Sequence, residues 1–334
     1  MTTTQTRRRF VAGLAAAGVA GVVRGPPTFA AEGSLETTRV TLMRDPSLCH
    51  APQYIAEAFL RAEGFTEFRF VDSASSAEIS DAVARNTVDF SSHFGSDFVR
   101  AIDAGAPITI LAGVHVGCFE LFAQKAIHKV TELKGRKVAI SALGSSPHLF
   151  ISIMAARVGL DPTKDINWVE NKTPTKLFAE GQVDAVLGLP PQTQELRALD
   201  IGHVLVNSAV DAPWSQYFCC MWGGNRNFVR THPIATKRVL RALLKAQDLC
   251  TSDPAGVSKQ LVDGGFSKAR PEHVLQAMRD IPYDRWREYD AEDTVRFYAL
   301  KMHEAGMIKS PPDKIIADAT DWRFLNELKR ELKA

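Results

Sequence analysis

The sequence lacks the features that mark several large classes of protein. It has no block of like charges and no low-complexity tract, and no segment of about 20 to 50 residues repeats along the chain. Metal-binding spacings such as Cys-x-x-Cys and His-x-x-x-His are also absent. These absences disfavour a polybasic membrane patch, a disordered region, a repeat protein and a metal finger.

Cysteine is scarce, with five residues among 334. They are Cys49, Cys118, Cys219, Cys220 and Cys250. An odd number leaves one thiol unpaired if disulfides form, and two adjacent cysteines rarely bridge each other. The chain is long enough for about two domains, and its 45% hydrophobic content supplies a core that needs no disulfide. We therefore expect mostly buried thiols and leave one bridge open.

The first 31 residues differ from the rest. Arg7, Arg8 and Arg9 precede a short apolar run that ends at Val23, rich in alanine and glycine. A basic segment before an apolar run shorter than about 20 residues is typical of a signal peptide. The paired arginines and Phe10 resemble a twin-arginine signal, cleaved after Ala30 or Ala31. An uncleaved membrane anchor is the alternative.

The net charge and the position of the first cysteine indicate which partners and which cellular location to expect. The formal charge is +2, and residues 1–31 hold four arginines and no acid, so the remainder carries −2. A nearly neutral body argues against a nucleic-acid partner. The first cysteine, Cys49, lies far beyond the cleavage point, so no lipid anchor is predicted. An exported protein without a tether needs an outer membrane to retain it, and we expect a periplasmic location.

Beyond the signal, strand patterns alternate with helix patterns in two sets. The first set has predicted strands at 39–44, 68–71, 88–91 and 107–114. The second has predicted strands at 118–123, 137–141, 166–169, 183–187 and 203–206. This order is typical of two α/β lobes.

The chain then returns to the first lobe. Residues 214–222 are predicted as a strand, and from Asn225 onward the pattern is almost wholly helical. We therefore place lobe 1 at 35–115 plus 217–334 and lobe 2 at 116–216. Two crossings make a hinge, and a cleft between hinged lobes closes on a ligand.

Several stretches, in their order and spacing, resemble one family. They are Val88-Asp-Phe, Thr131–Ala139, Gly144–Pro147, Gly159–Pro162, Phe178–Val186 and Phe228–Pro233. Together they are similar to the solute-binding proteins of ABC importers for nitrate, sulfonates, taurine and thiamine pyrimidine precursors. The resemblance implies the type II periplasmic-binding-protein fold: two α/β lobes joined by two crossing strands, with a helical C-terminal region. It departs at Pro190-Pro191, where relatives often have Trp-Glu-Pro.

The resemblance also implies a function. The protein would be a monomer that captures a small organic anion or heteroaromatic solute and delivers it to an ABC permease in the inner membrane. No catalytic residue, cofactor or metal is predicted. Two alternatives stay open. One is an enzyme on the same fold, similar to pyrimidine synthases or aromatic-acid decarboxylases, although Cys219-Cys220 matches too little of their cysteine cluster. The other is a sensor module for a membrane kinase.

The strongest candidate for ligand binding is a helix start in lobe 2. Gly144, Ser145, Ser146, Pro147 and His148 follow a predicted strand. Free backbone N–H groups at a helix N-terminus attract anions, and the two serines add hydroxyl donors. Ser146 could also be only the N-cap.

Further candidates come from strand ends and crossings, because ligands of such folds bind at the carboxyl ends of strands. In lobe 1, Arg44, His50 and His93 flank the predicted loops 46–51 and 91–95. Arg44 could instead pair with Asp45, and the histidines could be structural. The remaining candidates are placed on the cleft floor (Gly117, Cys118, Trp214, Tyr217) and on the opposite wall (Gly188, Pro190). Trp214 could equally be hinge packing.

Overall fold

A computed structural model of the chain describes residues 33–45, 47–73 and 78–333. The predicted signal peptide and Pro46 lie outside the described residues. Within the described residues, none of the helices combines the length and apolar character needed to cross a membrane.

Ten strands form among the described residues. They are β1 (Arg39–Arg44), β2 (Glu67–Asp72), β3 (Phe90–Phe94), β4 (Ile108–Val116), β5 (Glu120–Ala123), β6 (Lys137–Ile140), β7 (Asn167–Glu170), β8 (Ala185–Gly188), β9 (His203–Asn207) and β10 (Phe218–Asn225). They make two five-stranded sheets with the orders β2-β1-β3-β10-β4 and β7-β6-β8-β5-β9. We call the part built on the first sheet lobe 1 and the part built on the second lobe 2.

Fourteen α-helices surround the sheets in the described part of the chain. They are α1 (Ala51–Tyr54), α2 (Glu57–Ala62), α3 (Ile79–Ala84), α4 (Gly95–Asp103), α5 (Ser146–Arg157), α6 (Pro174–Ala179), α7 (Gln192–Ala198), α8 (Arg226–Thr231), α9 (Pro233–Ser252), α10 (Pro254–Asp263), α11 (Pro271–Asp280), α12 (Ala291–Glu304), α13 (Pro312–Ala319) and α14 (Arg323–Glu331).

The sheet of lobe 1 is deeply buried. β1 pairs in parallel with β2 and β3, whereas β10 runs antiparallel between β3 and β4. Every residue of β3, β4 and β10 is buried, because helices cover both faces of the sheet. In the sheet of lobe 2, β6 pairs in parallel with β7 and β8, and β5 is antiparallel to β8 and β9.

The chain crosses between the sheets twice, at 117–119 and at 208–217, and the two crossings touch. Ser208 Oγ donates to the Phe119 carbonyl at 2.8 Å, and the Ser208 N–H donates to the same oxygen at 3.1 Å. Gly117 has φ +25°, and a Cβ there would lie 2.2 Å from the Ser208 carbonyl. Only glycine fits this contact, so the hinge depends on Gly117.

Three local predictions differ from the structure. Residues 51–64 have helical spacing that predicts one helix, whereas the structure has two, α1 and α2. The predicted loop 91–95 is the end of β3, since Ser91 to Phe94 pair with β10, and Gly95 begins α4. The predicted strand 214–222 begins only at Phe218, because hydrogen bonds between near neighbours, such as Tyr217 N–H to the Trp214 carbonyl, form a 3-10 turn first.

Candidate functional site

The strand directions bring two sheet edges together at the crossings. In lobe 1 the strands β1, β3 and β4 end at Arg44, Phe94 and Val116, beside the start of β10. In lobe 2 the strands β8 and β9 end opposite Glu120, the first residue of β5. The cleft between these edges is the candidate site.

A buried ionic network follows β1. His50 Nδ1 lies 2.7 Å from Asp45 Oδ1, and the Tyr54 hydroxyl donates to the same oxygen at 2.6 Å. Burial disfavours the charged imidazole, yet the adjacent carboxylate outweighs it and raises the pKa of His50. Burial likewise opposes ionisation of Asp45, but His50 and Tyr54 hold the pKa of this carboxyl below its usual value. The network places a buried carboxyl of lowered pKa and a histidine of raised pKa side by side at the end of β1.

His93 is buried in a different way. It lies in β3, is 1% exposed and meets the Phe98 ring edge-to-face. Its Nε2 is 4.0 Å from Asp97 Oδ1, too far for a hydrogen bond. Burial lowers the pKa of His93 to about 4, so the ring is neutral at physiological pH.

Several buried polar atoms of lobe 1 have no hydrogen-bond partner among the described residues, and three of them belong to His50, Ser92 and His93 (Nε2, Oγ and Nδ1, respectively). More than about 90% of buried polar groups in proteins are paired. These atoms therefore have hydrogen-bonding capacity left for a solute.

Helix α5 carries the contribution of lobe 2. Its N-cap is Ser145, not Ser146, and the Ser145 hydroxyl donates to the Ala142 carbonyl at 2.6 Å. Ser146 Oγ instead donates to Asp97 Oδ2 at 2.6 Å. The carboxylate facing the start of α5 thus belongs to lobe 1, and this hydrogen bond joins the two lobes across the cleft.

Aromatic rings continue the contact between the lobes. Phe150 of α5 is fully buried, with ring centroids 4.0 Å from Phe119, 5.6 Å from Tyr298 and 6.2 Å from Phe94. Trp214 lies 6.5 Å from Phe150. Buried aromatic rings therefore form an apolar contact between the lobes, beside the buried histidines.

Tyr217 and Trp214 both contact the ring of Phe297. Tyr217 stacks on Phe297 with a centroid distance of 4.0 Å, and Trp214 meets the same ring edge-to-face at 5.9 Å. Both predicted floor residues thus pack against lobe 1 helix α12.

A cavity of about 170 Å³ opens at the hinge. Its lining includes the predicted residues Gly117, Cys118 and Pro190, and also Glu120, Gln194, Arg197 and Asp280. Burial raises the pKa of Glu120. Arg197 of lobe 2 pairs with Asp280 of lobe 1, and Gln194 Nε2 donates to Asp280 at 3.1 Å. The cavity is polar and is bounded by both lobes.

Three predicted residues have other partners or contacts. Arg44 pairs with Asp72, not Asp45, and its guanidinium lies over Phe70 and Phe266. His148 Nδ1 accepts from the Gly144 N–H at 3.0 Å, and its ring meets Trp168 at 4.7 Å. Gly188 ends β8 against Glu120, where a Cβ would lie 2.9 Å from Thr193.

Several residues that join the lobes were not predicted from the sequence. Asp97, Phe150, Gln194 and Arg197 belong to no motif, and their contacts form only between the lobes. Two groups of potential metal ligands in the described part of the chain share Cys118: one adds Cys49 and His115, and the other adds Cys219 and Cys220.

Comparison with models of known protein families assigns the chain to one family. Residues 48–257 match the family model described as NMT1/THI5 like. The chain belongs to the NMT1/THI5-like family. No curated protein matches this NMT1/THI5-like chain in sequence.

Solved structures share the fold of this NMT1/THI5-like protein. The periplasmic nitrate-binding protein NrtA from Synechocystis PCC 6803 aligns with a TM-score of 0.77 and 15% identity, covering 90% of each chain. The alkanesulfonate-binding protein SsuA from Xanthomonas axonopodis pv. citri, bound to MOPS, aligns with a TM-score of 0.70 and 18% identity. The alignment covers 83% of this chain and 96% of SsuA. A DSZB mutant in complex with biphenyl-2-sulfinic acid aligns with a TM-score of 0.60 and 15% identity. The alignment covers 88% of this chain and 100% of the DSZB chain.

These likenesses confirm the predicted periplasmic-binding-protein fold, with two mixed α/β sheets and surrounding helices. Two of these three neighbours are described as solute-binding proteins.

Proposed function

We propose that this protein is an exported solute-binding protein of an ABC importer. It captures a small organic anion or heteroaromatic solute between the lobes and delivers it to a permease in the inner membrane. The observation that carries the proposal is the contact across the cleft, where Ser146 of lobe 2 donates to Asp97 of lobe 1. NrtA and SsuA, which share the fold, are named for binding nitrate and alkanesulfonate.

The chemistry of the cleft suits a solute with a ring or an apolar part and a few polar atoms. Phe94, Phe119 and Phe150 supply an aromatic wall. Ser92 Oγ and the free ring nitrogens of His50 and His93 supply hydrogen-bonding groups. A buried neutral imidazole accepts or donates one hydrogen bond without bringing an uncompensated charge.

Lobe closure is the proposed working motion. Both crossings are joined by Ser208 and pass close together at Gly117, which gives a hinge of few residues. A ligand that contacts both lobes favours the closed state by its difference in affinity for the two states. The Ser146–Asp97 hydrogen bond would form on closing and break on release.

Residues 1–31 would direct export to the periplasm as a twin-arginine signal, and the mature chain would act as a monomer. Capture and delivery require no covalent step, so no residue is assigned a catalytic role.

A thermal-shift screen tests the proposal. The panel is nitrate, short alkanesulfonates, benzoate-type carboxylates and aminopyrimidines. A ligand at 100 times its Kd stabilises the native state by about 2.7 kcal/mol, which is a clear rise in Tm. We expect one class to raise Tm and to be recovered unchanged. A screen without any shift would contradict the proposal, and recovery of a converted product would favour the enzyme alternative.

A further inference from the structure

Four of the five cysteines meet in one place. Cys118 Sγ lies 3.1 Å from Cys49 Sγ and 3.2 Å from Cys219 Sγ. Cys220 Sγ lies within 4.8 Å of the Cys118 and Cys219 sulfurs. A ring nitrogen of His115 lies within the same distance of the Cys49 and Cys118 sulfurs. Cys118 is therefore common to two sets of three potential ligands.

The cluster lies at the hinge and is buried. Cys49 follows β1, His115 is in β4, Cys118 is in the first crossing, and Cys219 and Cys220 are the second and third residues of β10. The exposed fraction is 7% for Cys118 and at most 1% for the other four residues. Different parts of the fold thus bring five soft donors to one point.

The geometry differs from that of a disulfide. A disulfide bond is about 2.05 Å long, so the two closest sulfur pairs are not bonded. Zinc–sulfur bonds of about 2.3 Å in a tetrahedron place ligand sulfurs about 3.8 Å apart. The observed 3.1 and 3.2 Å are shorter than this, so the sulfurs would have to separate by about 0.6–0.7 Å to hold an ion.

His115 is prepared as a ligand. Its Nδ1 lies 3.3 Å from the Val116 carbonyl, while Nε2 is buried without a hydrogen-bond partner among the described residues. A metal-binding histidine usually donates its other N–H to a carbonyl or carboxylate. The unpaired nitrogen is a second observation, independent of the thiols, that points to a ligand.

We propose that this cluster is a site for one thiophilic metal ion, Zn(II) or Cu(I), at the hinge, with Cys118 as the common ligand and the other ligands drawn from Cys49, His115, Cys219 and Cys220. The donor set is sulfur and nitrogen without a carboxylate, which selects these ions over Mg(II) and Ca(II). Each cysteine that becomes a ligand releases its proton to solvent, and no electron is transferred. The ion would tie Cys118 of the first crossing to β4 and β10 of lobe 1.

Metal titration of the reduced, chelator-stripped full-length protein tests the proposal. Zn(II) is added in competition with a chromophoric chelator, and Cu(I) is added in a parallel experiment under reductant. We expect one ion per chain for at least one of the two metals, with a rise in Tm. Substitution by Co(II) should give thiolate-to-metal charge-transfer absorption.

Cysteine variants locate the site. Cys118→Ser should abolish stoichiometric binding because it removes the shared ligand, and Cys219→Ala should weaken binding at least tenfold. Cys250→Ser is the matched control, since Cys250 is a buried free thiol in α9 outside the cluster. Circular dichroism reports folding, and Cys49→Ser replaces Cys118→Ser if the latter is unfolded.

Three results would overturn the proposal. One is wild-type protein with five titratable thiols that binds neither ion. The second is wild-type affinity in Cys118→Ser, or equal loss in Cys250→Ser. The third is a native disulfide between cluster cysteines whose reduction does not restore metal binding.

Discussion

Lobe 1 and lobe 2 are each built on a five-stranded mixed sheet. They differ in how many ionisable side chains they bury. Lobe 1 buries His50, His93, Asp45 and Asp97 at the edge that faces the cleft, and its strands β3, β4 and β10 are inaccessible to solvent. In lobe 2, by contrast, Glu120 is the one buried Asp, Glu or His among the described residues.

The difference indicates a division of labour. Lobe 1 holds the polar groups with spare hydrogen-bonding capacity, and lobe 2 covers them through one helix, α5. That helix supplies a hydroxyl at Ser146 and a ring at Phe150. If this is correct, changes in α5 should act on closure, whereas changes in lobe 1 should act on the chemistry of the cleft.

The largest effect is expected from Phe150→Ala. Removing a buried phenylalanine costs about 3–5 kcal/mol of unfolding free energy, measured by urea denaturation. Because Phe150 contacts lobe 1, the variant should also have a larger radius of gyration in X-ray scattering. Phe178→Ala is the control, since Phe178 is fully buried in the core of lobe 2 itself. Phe178→Ala should lose a similar unfolding free energy without an increase in the radius of gyration. An equal increase in the radius of gyration of both variants would contradict the role of α5.

A pH effect should follow from His93. Its pKa of about 4 in the native state lies below the unfolded value of 6.5. Above pH 6.5, His93 is neutral in both states and adds no pH dependence to the free energy of unfolding. As pH falls towards 4, only the unfolded chain takes up the proton, and the native state loses about 2 kcal/mol by pH 5.

His93→Gln should remove this part of the acid sensitivity in urea denaturation at pH 7 and pH 5. The charged and titratable groups around the ring, Asp45, His50, Asp97 and Arg100, are unchanged in that variant. His303→Gln alters an exposed histidine in α12 and should keep the wild-type slope. An unchanged slope in His93→Gln would show that His93 does not govern the acid response.

Ser146→Ala should weaken the closed state by about 1.5 kcal/mol, since it removes a hydrogen bond to a carboxylate. Ligand affinity in calorimetry should then fall about tenfold. Ser152→Ala is the control on the same helix, because the Ser152 hydroxyl is buried without a partner among the described residues. Ser145→Ala should also have little effect, since that hydroxyl bonds its own loop. Equal loss in all three would contradict a specific role for Ser146.

The smallest effect is expected at the rim. Arg197→Ala removes the pair with Asp280 across the lobes, which is partly exposed and worth less than about 1 kcal/mol. The loss in affinity should shrink further at high salt. Lys125→Ala breaks an exposed pair with Asp200 inside lobe 2 and should leave affinity unchanged. A large effect of Arg197→Ala at all salt concentrations would place it in direct contact with the solute.

Much of the fold could be predicted from the sequence, because local patterns encode it. The strand pattern at 39–44, for example, predicted β1 without tertiary information. The loop predicted at 91–95 was wrong because Ser91, Ser92 and His93 are polar, yet they pair with β10 deep in the sheet. Tertiary pairing overrode local composition there.

The site was less accessible to prediction. Strand ends indicated Gly117, Cys118 and Pro190, which line the hinge cavity. The Ser146–Asp97 hydrogen bond joins residues 49 positions apart, and Cys118 meets Cys219 across 101 positions. Neither pair belongs to a motif, so only the assembled lobes bring them together.

The most direct test of the account is a crystal structure of the protein with the solute that gives the largest thermal shift. We predict that the solute lies between the lobes, within hydrogen-bond distance of a lobe 1 group such as Ser92, His50 or His93, and in contact with α5. A solute bound to one lobe alone, or at the outer surface, would contradict capture in the cleft.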